Sequence, residues 1–277
     1  ISSISGDSDG NIWFGTTGGP ASSGTGLYRF EGETLTRFST ENGLPANEIS
    51  SLAANPNGGL WLTTFCCGVA QFDGDTWNIF TRQDGLPEND VRASFIDRQG
   101  NLWLGFSEKG IARFDGKTWQ TFPLSGYVGH LGLLADGSVL ASVSDNSNPR
   151  LVRFDGEQWT DFTTPPQMQN AYVFDFVETP EGDIWFATEH DGAFRLSDGE
   201  WTHFTQQDGL SSDSIFAIAV DSAGDIWFGT ANGITHFDGE NWQTHQTGQW
   251  VTSAFVAADG SLWFGADGTV LRYEKSE

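Results

Sequence analysis

The sequence predicts an all-β protein, a seven-bladed β-propeller with four antiparallel strands per blade, and three observations carry that reading. A Gly-x-Ile/Leu-Trp motif returns roughly every 40 residues, at Trp13, Trp61, Trp103, Trp185, Trp227 and Trp263. A degraded copy, Asp136-Gly137-Ser138-Val139-Leu140, has Leu140 where the indole belongs. Between the copies a Phe-Asp/Glu-Gly turn recurs, at Phe30–Gly32, Phe72–Gly74, Phe114–Gly116, Phe154–Gly156 and Phe237–Gly239. Each unit then divides into four short strand-like runs bounded by turn residues.

The second unit shows the pattern in order. Asn47–Ala54 reads as a first strand, a, and Asn55-Pro56-Asn57-Gly58 as a tight turn. Gly59–Thr64 reads as strand b, followed by a variable loop. Gly68–Phe72 is strand c, Asp73-Gly74 a hairpin turn, and Thr76–Phe80 strand d. Asp84-Gly85-Leu86-Pro87 then leads to the next strand a. Strand d carries an aromatic at a fixed place, Trp77, Trp119, Trp159, Trp201 and Trp242, with Leu35 in the first unit, and the fifth turn slips by one residue to Asp198-Gly199. The predicted organisation is one propeller domain over residues 1–277, with blades at about 1–46, 47–88, 89–125, 126–170, 171–212, 213–248 and 249–277. The seventh has strands a (Val251–Val256), b (Leu262–Ala266) and c (Thr269–Tyr273) and no fourth run, so a three-stranded or incomplete last blade is expected.

A blade is a small twisted sheet with two apolar faces that it cannot bury alone, and the recurring Trp residues are therefore expected between blades rather than in a binding site. Strand-c arginines, Arg29, Arg113, Arg153, Arg195 and Arg272, recur at one repeat position and are expected to cover aromatic faces or form salt bridges. Asp7, Asp97 and Asp221 recur in the a–b turns and are expected to cap them.

Charge narrows the partners. With 13 Lys and Arg against 37 Asp and Glu, the net charge is −24, which repels phosphate backbones and anionic lipid. No nucleic-acid partner is expected, and no apolar run here is long enough to span a bilayer. The chain begins at Ile1, directly on a strand pattern, so a processed piece with its targeting segment removed is expected. The two cysteines, Cys66 and Cys67, are adjacent, which leaves a vicinal disulfide or two free thiols, and no zinc pattern.

The composite Asp-x-x-Gly-x-Ile-Trp-Phe-Gly-Thr, Gly-Leu-x-Arg-Phe-Asp-Gly, Trp-x-x-Phe, Asp-Gly-Leu-Pro resembles the two-component regulator propeller repeat along essentially the whole chain, most closely at Asp221–Thr230 and Asn42–Asn47. The resemblance implies a periplasmic or extracellular seven-bladed sensor module that binds a ligand or a protein. The Gly-Leu-Pro box stands at Gly43 and Gly85, becomes Gly209-Leu210-Ser211, and is missing before units four, five and seven. A second likeness is confined to one unit: Ile184–His190 resembles the blades of streptogramin lyases, which are metal-dependent propellers.

Strands alternate in direction, so b–c loops and d–a connections share one end of the blades. Irregular sequence concentrates there, at Thr16–Thr25, Cys66-Cys67, Ser144–Pro149 and Glu189-His190-Asp191. Strand a is expected to line a central channel. Its seventh position before the turn glycine is Ser3, Ser51, Ala93, His130, Asp175, Ala217 and Ser253, so His130 and Asp175 break a run of small residues. One position earlier stands Arg92, where other units have Ser, Gly, Thr or Phe. The candidate ligand site is therefore Arg92, His130, Asp175, Glu189 and His190 at the channel mouth, against the alternative of a structural His130–Asp175 hydrogen bond. A non-catalytic sensor or binding propeller for a small polar molecule or carbohydrate is the leading expectation, without a cofactor. A metal-dependent lyase using a top-face His/Glu site and a divalent cation, and a protein–protein interaction platform, are the alternatives.

Overall fold

The computed structural model describes residues 1–18, 24–55, 58–145, 148–245 and 247–274. Its strands form seven sheets in chain order. Blade one is β1 (Ser3–Gly6), β2 (Ile12–Gly15), β3 (Leu27–Glu31) and β4 (Thr34–Phe38). Blade two is β5 (Ile49–Ala54), β6 (Leu60–Thr64), β7 (Val69–Phe72) and β8 (Trp77–Phe80). Blade three is β9 (Val91–Ile96), β10 (Leu102–Phe106), β11 (Ile111–Phe114) and β12 (Trp119–Phe122). Blade four is β13 (Tyr127–Leu133), β14 (Val139–Asp145), β15 (Asn148–Phe154) and β16 (Trp159–Asp161). Blade five is β17 (Val173–Glu178), β18 (Ile184–Thr188), β19 (Ala193–Ser197) and β20 (Glu200–Phe204). Blade six is β21 (Ile215–Val220), β22 (Ile226–Thr230), β23 (Gly233–Phe237) and β24 (Trp242–His245). Blade seven is β25 (Val251–Val256), β26 (Leu262–Ala266) and β27 (Thr269–Tyr273), three strands among the described residues.

This is the seven-bladed β-propeller that the repeat predicts. The four strands read from the second unit lie within one or two residues of β5 to β8. Pro56 and Asn57 of its a–b turn, residues 19–23 of the first b–c loop and residues 146–147 of the fourth lie outside the described residues. Two compact units are distinguished, Ile1–Leu131 and Gly132–Glu277, with the division falling inside β13.

In each unit the b-strand indoles are core. Trp13 and Trp103 in the first, and Trp185 and Trp227 in the second, are at most 2% exposed. Burying about 200 Å² of indole at about 25 cal/mol per Å² stabilises by about 5 kcal/mol as an upper figure. Each indole also needs a partner for its N–H. Trp13 Nε1 donates to Asp7 Oδ2 at 2.8 Å, and Trp103 Nε1 to Asp97 Oδ2 at 2.8 Å. Trp227 Nε1 donates to Asp221 Oδ2 at 3.2 Å, and Trp263 Nε1 to Ser261 Oγ at 2.9 Å. The other oxygen of Asp97 accepts from the backbone N–H groups of Gln99 and Asn101, so one carboxylate caps the turn and satisfies the buried indole. Burial alone would raise the Asp7 carboxyl, but hydrogen bonds from Trp13 and Asn11 outweigh it and hold the group below its usual value.

In blades one, three, five and seven the cross-strand partner of the indole is a strand-c arginine, whereas in blade two it is Gln71. The Arg29 guanidinium lies 5.5 Å from the Trp13 ring, Arg113 5.5 Å from Trp103, Arg195 5.6 Å from Trp185 and Arg272 5.3 Å from Trp263. In blade six His236 takes the place, stacked 4.1 Å over Trp227, with its Nε2 3.0 Å from Asp225.

The Gly-Leu-Pro box joins neighbouring blades within a unit. Its leucines, Leu44, Leu86 and Leu210, are buried. Its glycines sit in left-handed backbone against the next blade's d-strand indole: a Cβ on Gly85 (φ 96°) would lie 3.2 Å from Trp119, and one on Gly209 (φ 131°) 2.5 Å from Trp242. Only glycine serves both the conformation and the close approach.

Candidate functional site

The end of the sheets that carries the b–c loops is shaped by a repeated irregularity. In blades two, three, five, six and seven the register between strands a and b shifts one step after the first residue of strand a. Ser50, Arg92, Phe174, Phe216 and Thr252 are the extra residues of these β-bulges. A bulge leaves its extra residue unpaired and re-aims its side chain, so the same backbone device presents different chemistry on different blades.

Where the bulge residue is serine it ties blades together. Ser50 Oγ donates to Val91 O at 2.6 Å, and Ser2, at the matching place in blade one, donates to Ile49 O at 2.6 Å. In blades five and six phenylalanine stands there instead and makes no such bond. Phe174 is 39% exposed, and its ring centroid lies 5.5 Å from that of Phe216. Phe216 in turn stacks on Trp250 at 5.4 Å, and Trp250, just before β25, is 59% exposed. Three aromatic rings thus form a row over blades five, six and seven.

Two of the residues picked from sequence meet at the β18–β19 loop. His190, on the β18–β19 loop, approaches Ser214 Oγ through Nδ1 at 3.1 Å and Glu189 Oε1 through Nε2 at 3.8 Å. Ser214 precedes Phe216 by two residues. Asp175 has a different setting: its Oδ1 accepts from Phe176 N at 2.8 Å and its Oδ2 from Ile218 N at 3.0 Å, one blade on. Ser3 does the same in blade one, accepting from Leu52 N at 3.2 Å. Asp175 is therefore a clasp between neighbouring a strands.

Arg92 belongs to the first unit, as does the half-buried His130 on β13. The Arg92 guanidinium is gripped by Asp90, with Nε 2.7 Å from Oδ1 and Nη2 2.8 Å from Oδ2, and Nε also donates to Ser107 Oγ at 2.8 Å. Phe65 and Tyr127 lie 4.8 and 5.5 Å from it. Tyr127 is 41% exposed, yet packing around its hydroxyl pushes the phenol above its usual value, opposed by the Arg92 charge. Phe65 leads into Cys66 and Cys67, whose sulfurs are bonded to each other in a vicinal disulfide. Among the described residues no three His, Cys, Asp or Glu side chains converge as metal ligands would.

Sequence reasoning missed the aromatic row, although it had the signal. Phenylalanine at the bulge position was visible, but only the ionisable Arg92 stood out. Trp250 lies outside both recurring Trp positions and is by that fact marked as different.

The two component regulator propeller family matches residues 1–18, 85–108 and 209–232. Among solved structures, the extracellular domain of BT4673 from B. thetaiotaomicron, assigned as a hybrid two component system, is 20% identical with a TM-score of 0.76. That match covers 100% of this chain and 38% of the other, so the chain spans well under half of that relative. Virginiamycin B lyase from Staphylococcus aureus, in a catalytically inactive form with quinupristin, is 16% identical with a TM-score of 0.79, covering 98% of this chain and 93% of that one. YCF48 bound to D1 peptide is 17% identical with a TM-score of 0.73, covering 99% and 93%. At these identities the likeness is one of fold. No curated protein matches the chain in sequence. The chain is a seven-bladed propeller that carries the two component regulator propeller repeat in three of its segments.

Proposed function

We propose that this chain is a non-catalytic ligand-sensing or ligand-binding propeller, the extracytoplasmic sensor-type module of a bacterial regulatory protein. It takes a small polar molecule or carbohydrate at the bulge-bearing end of blades five to seven. The observation that carries the reading is the row of Phe174, Phe216 and Trp250, its two outer rings exposed, with the His190–Ser214 and His190–Glu189 contacts two residues along the chain from Phe216. Aromatic faces bury the flat apolar side of a ring-shaped polar ligand, and the neighbouring donors and acceptors orient its hydroxyl groups. The repeat family and the likeness to the extracellular BT4673 domain support a sensor. The vicinal disulfide supports an oxidising compartment outside the cytoplasm.

The test is a thermal-shift screen of the purified chain against neutral oligosaccharides and small polar metabolites, followed by titration of each hit on wild type, Phe216→Ala and Trp250→Ala. A true ligand at one hundred times its Kd adds about 2.7 kcal/mol to stability. The expected result is a hit whose affinity falls in both variants. A hit with unchanged affinity in both would place the site elsewhere. No hit, together with capture of a protein partner that both variants weaken, would replace the small ligand with a protein.

A further inference from the structure

Blades two and five close their b–c turns with the same set of bonds. In blade two Thr64 N donates to Gly68 O at 3.1 Å, Thr64 Oγ1 donates to the same oxygen at 2.8 Å, and Cys67 N donates to Thr64 Oγ1 at 3.0 Å. In blade five Thr188 N donates to Gly192 O at 3.2 Å, Thr188 Oγ1 to that oxygen at 2.6 Å, and Asp191 N to Thr188 Oγ1 at 3.1 Å. Each turn is also tied to the connection that leads to the next blade. Gly68 N donates to Asn89 O at 3.0 Å, and Gly192 N to Asp213 O at 2.9 Å. The residues inside the turn are Phe65, Cys66 and Cys67 in one case and Glu189, His190 and Asp191 in the other.

The blade-two turn adds a covalent link between the sulfurs of Cys66 and Cys67. Blade five builds the same turn without one, so the link is not what shapes the backbone. Nor does it add much stability. In the chain-entropy account a disulfide stabilises by closing a loop of the unfolded chain, and a bond between neighbours closes essentially none. What the bond does have is access, because Cys66 is exposed and Cys67 half-buried. Exposed disulfides exchange readily with thiols, whereas structural ones resist reduction by glutathione.

We propose that Cys66–Cys67 is a reversible thiol–disulfide exchange site, cycling between disulfide and dithiol on a turn that keeps its shape. Its co-reactant is a thiol reductant. The reductant's thiolate attacks Cys66 Sγ, the S–S bond breaks, and Cys67 Sγ leaves as a thiolate that takes up a proton. A second reductant thiolate attacks the reductant sulfur of the mixed disulfide and releases Cys66, which is protonated in turn. Two reductant thiols are oxidised to one disulfide, and two electrons and two protons pass to the protein. The bonds that close the turn use backbone groups and Thr64 Oγ1, so none is lost when the sulfurs part. The sulfurs part next to Phe65, whose ring lies 4.8 Å from the Arg92 guanidinium. The site lies within Ile1–Leu131 and does not rest on the ligand reading for blades five to seven.

The chain has no other cysteine, so every thiol label reports on this pair. The purified chain is equilibrated without denaturant in glutathione buffers running from oxidised to reduced, trapped with an alkylating reagent and weighed intact. The expected result is a passage from no label to two, reversed when oxidised glutathione is restored. The reduced chain should keep the urea midpoint of the oxidised chain, and amide protection at Cys67 and Gly68 should persist. Label that appears only after urea has unfolded the chain would overturn the proposal. So would a urea midpoint that falls on reduction, or loss of protection at the two amides, because the bond would then be a structural staple of the turn.

Discussion

Arg153 faces Leu140 across the β14–β15 pair, and its guanidinium turns away to the carboxylate of Asp136. In blades one, three, five and seven the matching arginine lies over an indole. In blade four, where Leu140 stands in place of the indole, the guanidinium forms a surface ion pair, with Nε donating to Ser138 Oγ at 2.9 Å, and Arg272 makes the matching pair to Asp259 while lying over Trp263.

That contrast sets the first prediction. Arg195→Ala removes a guanidinium from the faces of Trp185 and Phe204 and uncovers buried rings. It is expected to cost about 0.5–2 kcal/mol, nearly unchanged by salt. Arg153→Ala breaks a solvent-exposed pair, worth about 0–1 kcal/mol, which should fade at about 1 M salt. Urea unfolding of both variants at low and high salt decides it, and equal salt sensitivity would contradict the assignment.

Glycine at the blade junction gives the second. Gly209→Ala and Gly239→Ala both place a side chain in left-handed backbone, at φ 131° and 97°. Gly239 has open space around its Cβ, whereas a Cβ on Gly209 meets Trp242 at 2.5 Å. Both variants should pay the left-handed penalty of about 1–2 kcal/mol. Gly209→Ala should cost a further 1–3 kcal/mol or so from overpacking. Chemical denaturation of the pair measures the difference, and no difference would mean that Trp242 yields freely.

The c–d turns give the third. Asp238 accepts from the backbone N–H groups of Asn241 and Glu240 and from the Asn241 side chain, which lowers its pKa to about 2. The folded value lies below the unfolded one, so the contribution is fully present above the unfolded carboxylate pKa near 3.9. It is lost as pH falls from there through about 2. Asp73, Asp115 and Asp155, capping the same turn in other blades, are shifted the same way by the same kind of bonds. A carbon-detected NMR titration should show the Asp238 carboxyl still ionised at pH 3, where an unperturbed aspartate is mostly protonated.

Much of the fold could be read in the sequence because each blade repeats the same local solution. The indole, its turn aspartate and its covering cation occupy fixed places, so periodicity exposes them at Trp13, Asp7 and Arg29 and again at Trp103, Asp97 and Arg113. The binding end was less legible for the converse reason. Phe174 and Phe216 look like ordinary strand residues, and only the register shift at Val173 and Ile215 turns them outward. Asp175 broke the small-residue pattern and looked chemical. Its position faces the next blade's backbone, where a carboxylate replaces the serine hydroxyl used by Ser3.

The clasp itself is the fourth prediction. Asp175 Oδ2 accepts from the N–H of Ile218 in the next blade. Asp175→Ala leaves that donor without its partner and is expected to cost about 1–3 kcal/mol. Asp175→Asn keeps an acceptor oxygen in place and should retain most of the stability. Asp175→Ser reproduces the Ser3 arrangement and should fall between the two. Amide hydrogen exchange at Ile218 is the readout that a merely electrostatic role would leave unmoved. Protection at that amide should drop in the alanine variant and persist in the asparagine variant. Were the alanine variant to keep both its stability and the Ile218 protection, Asp175 would be released from a structural role and returned to the list of ligand contacts.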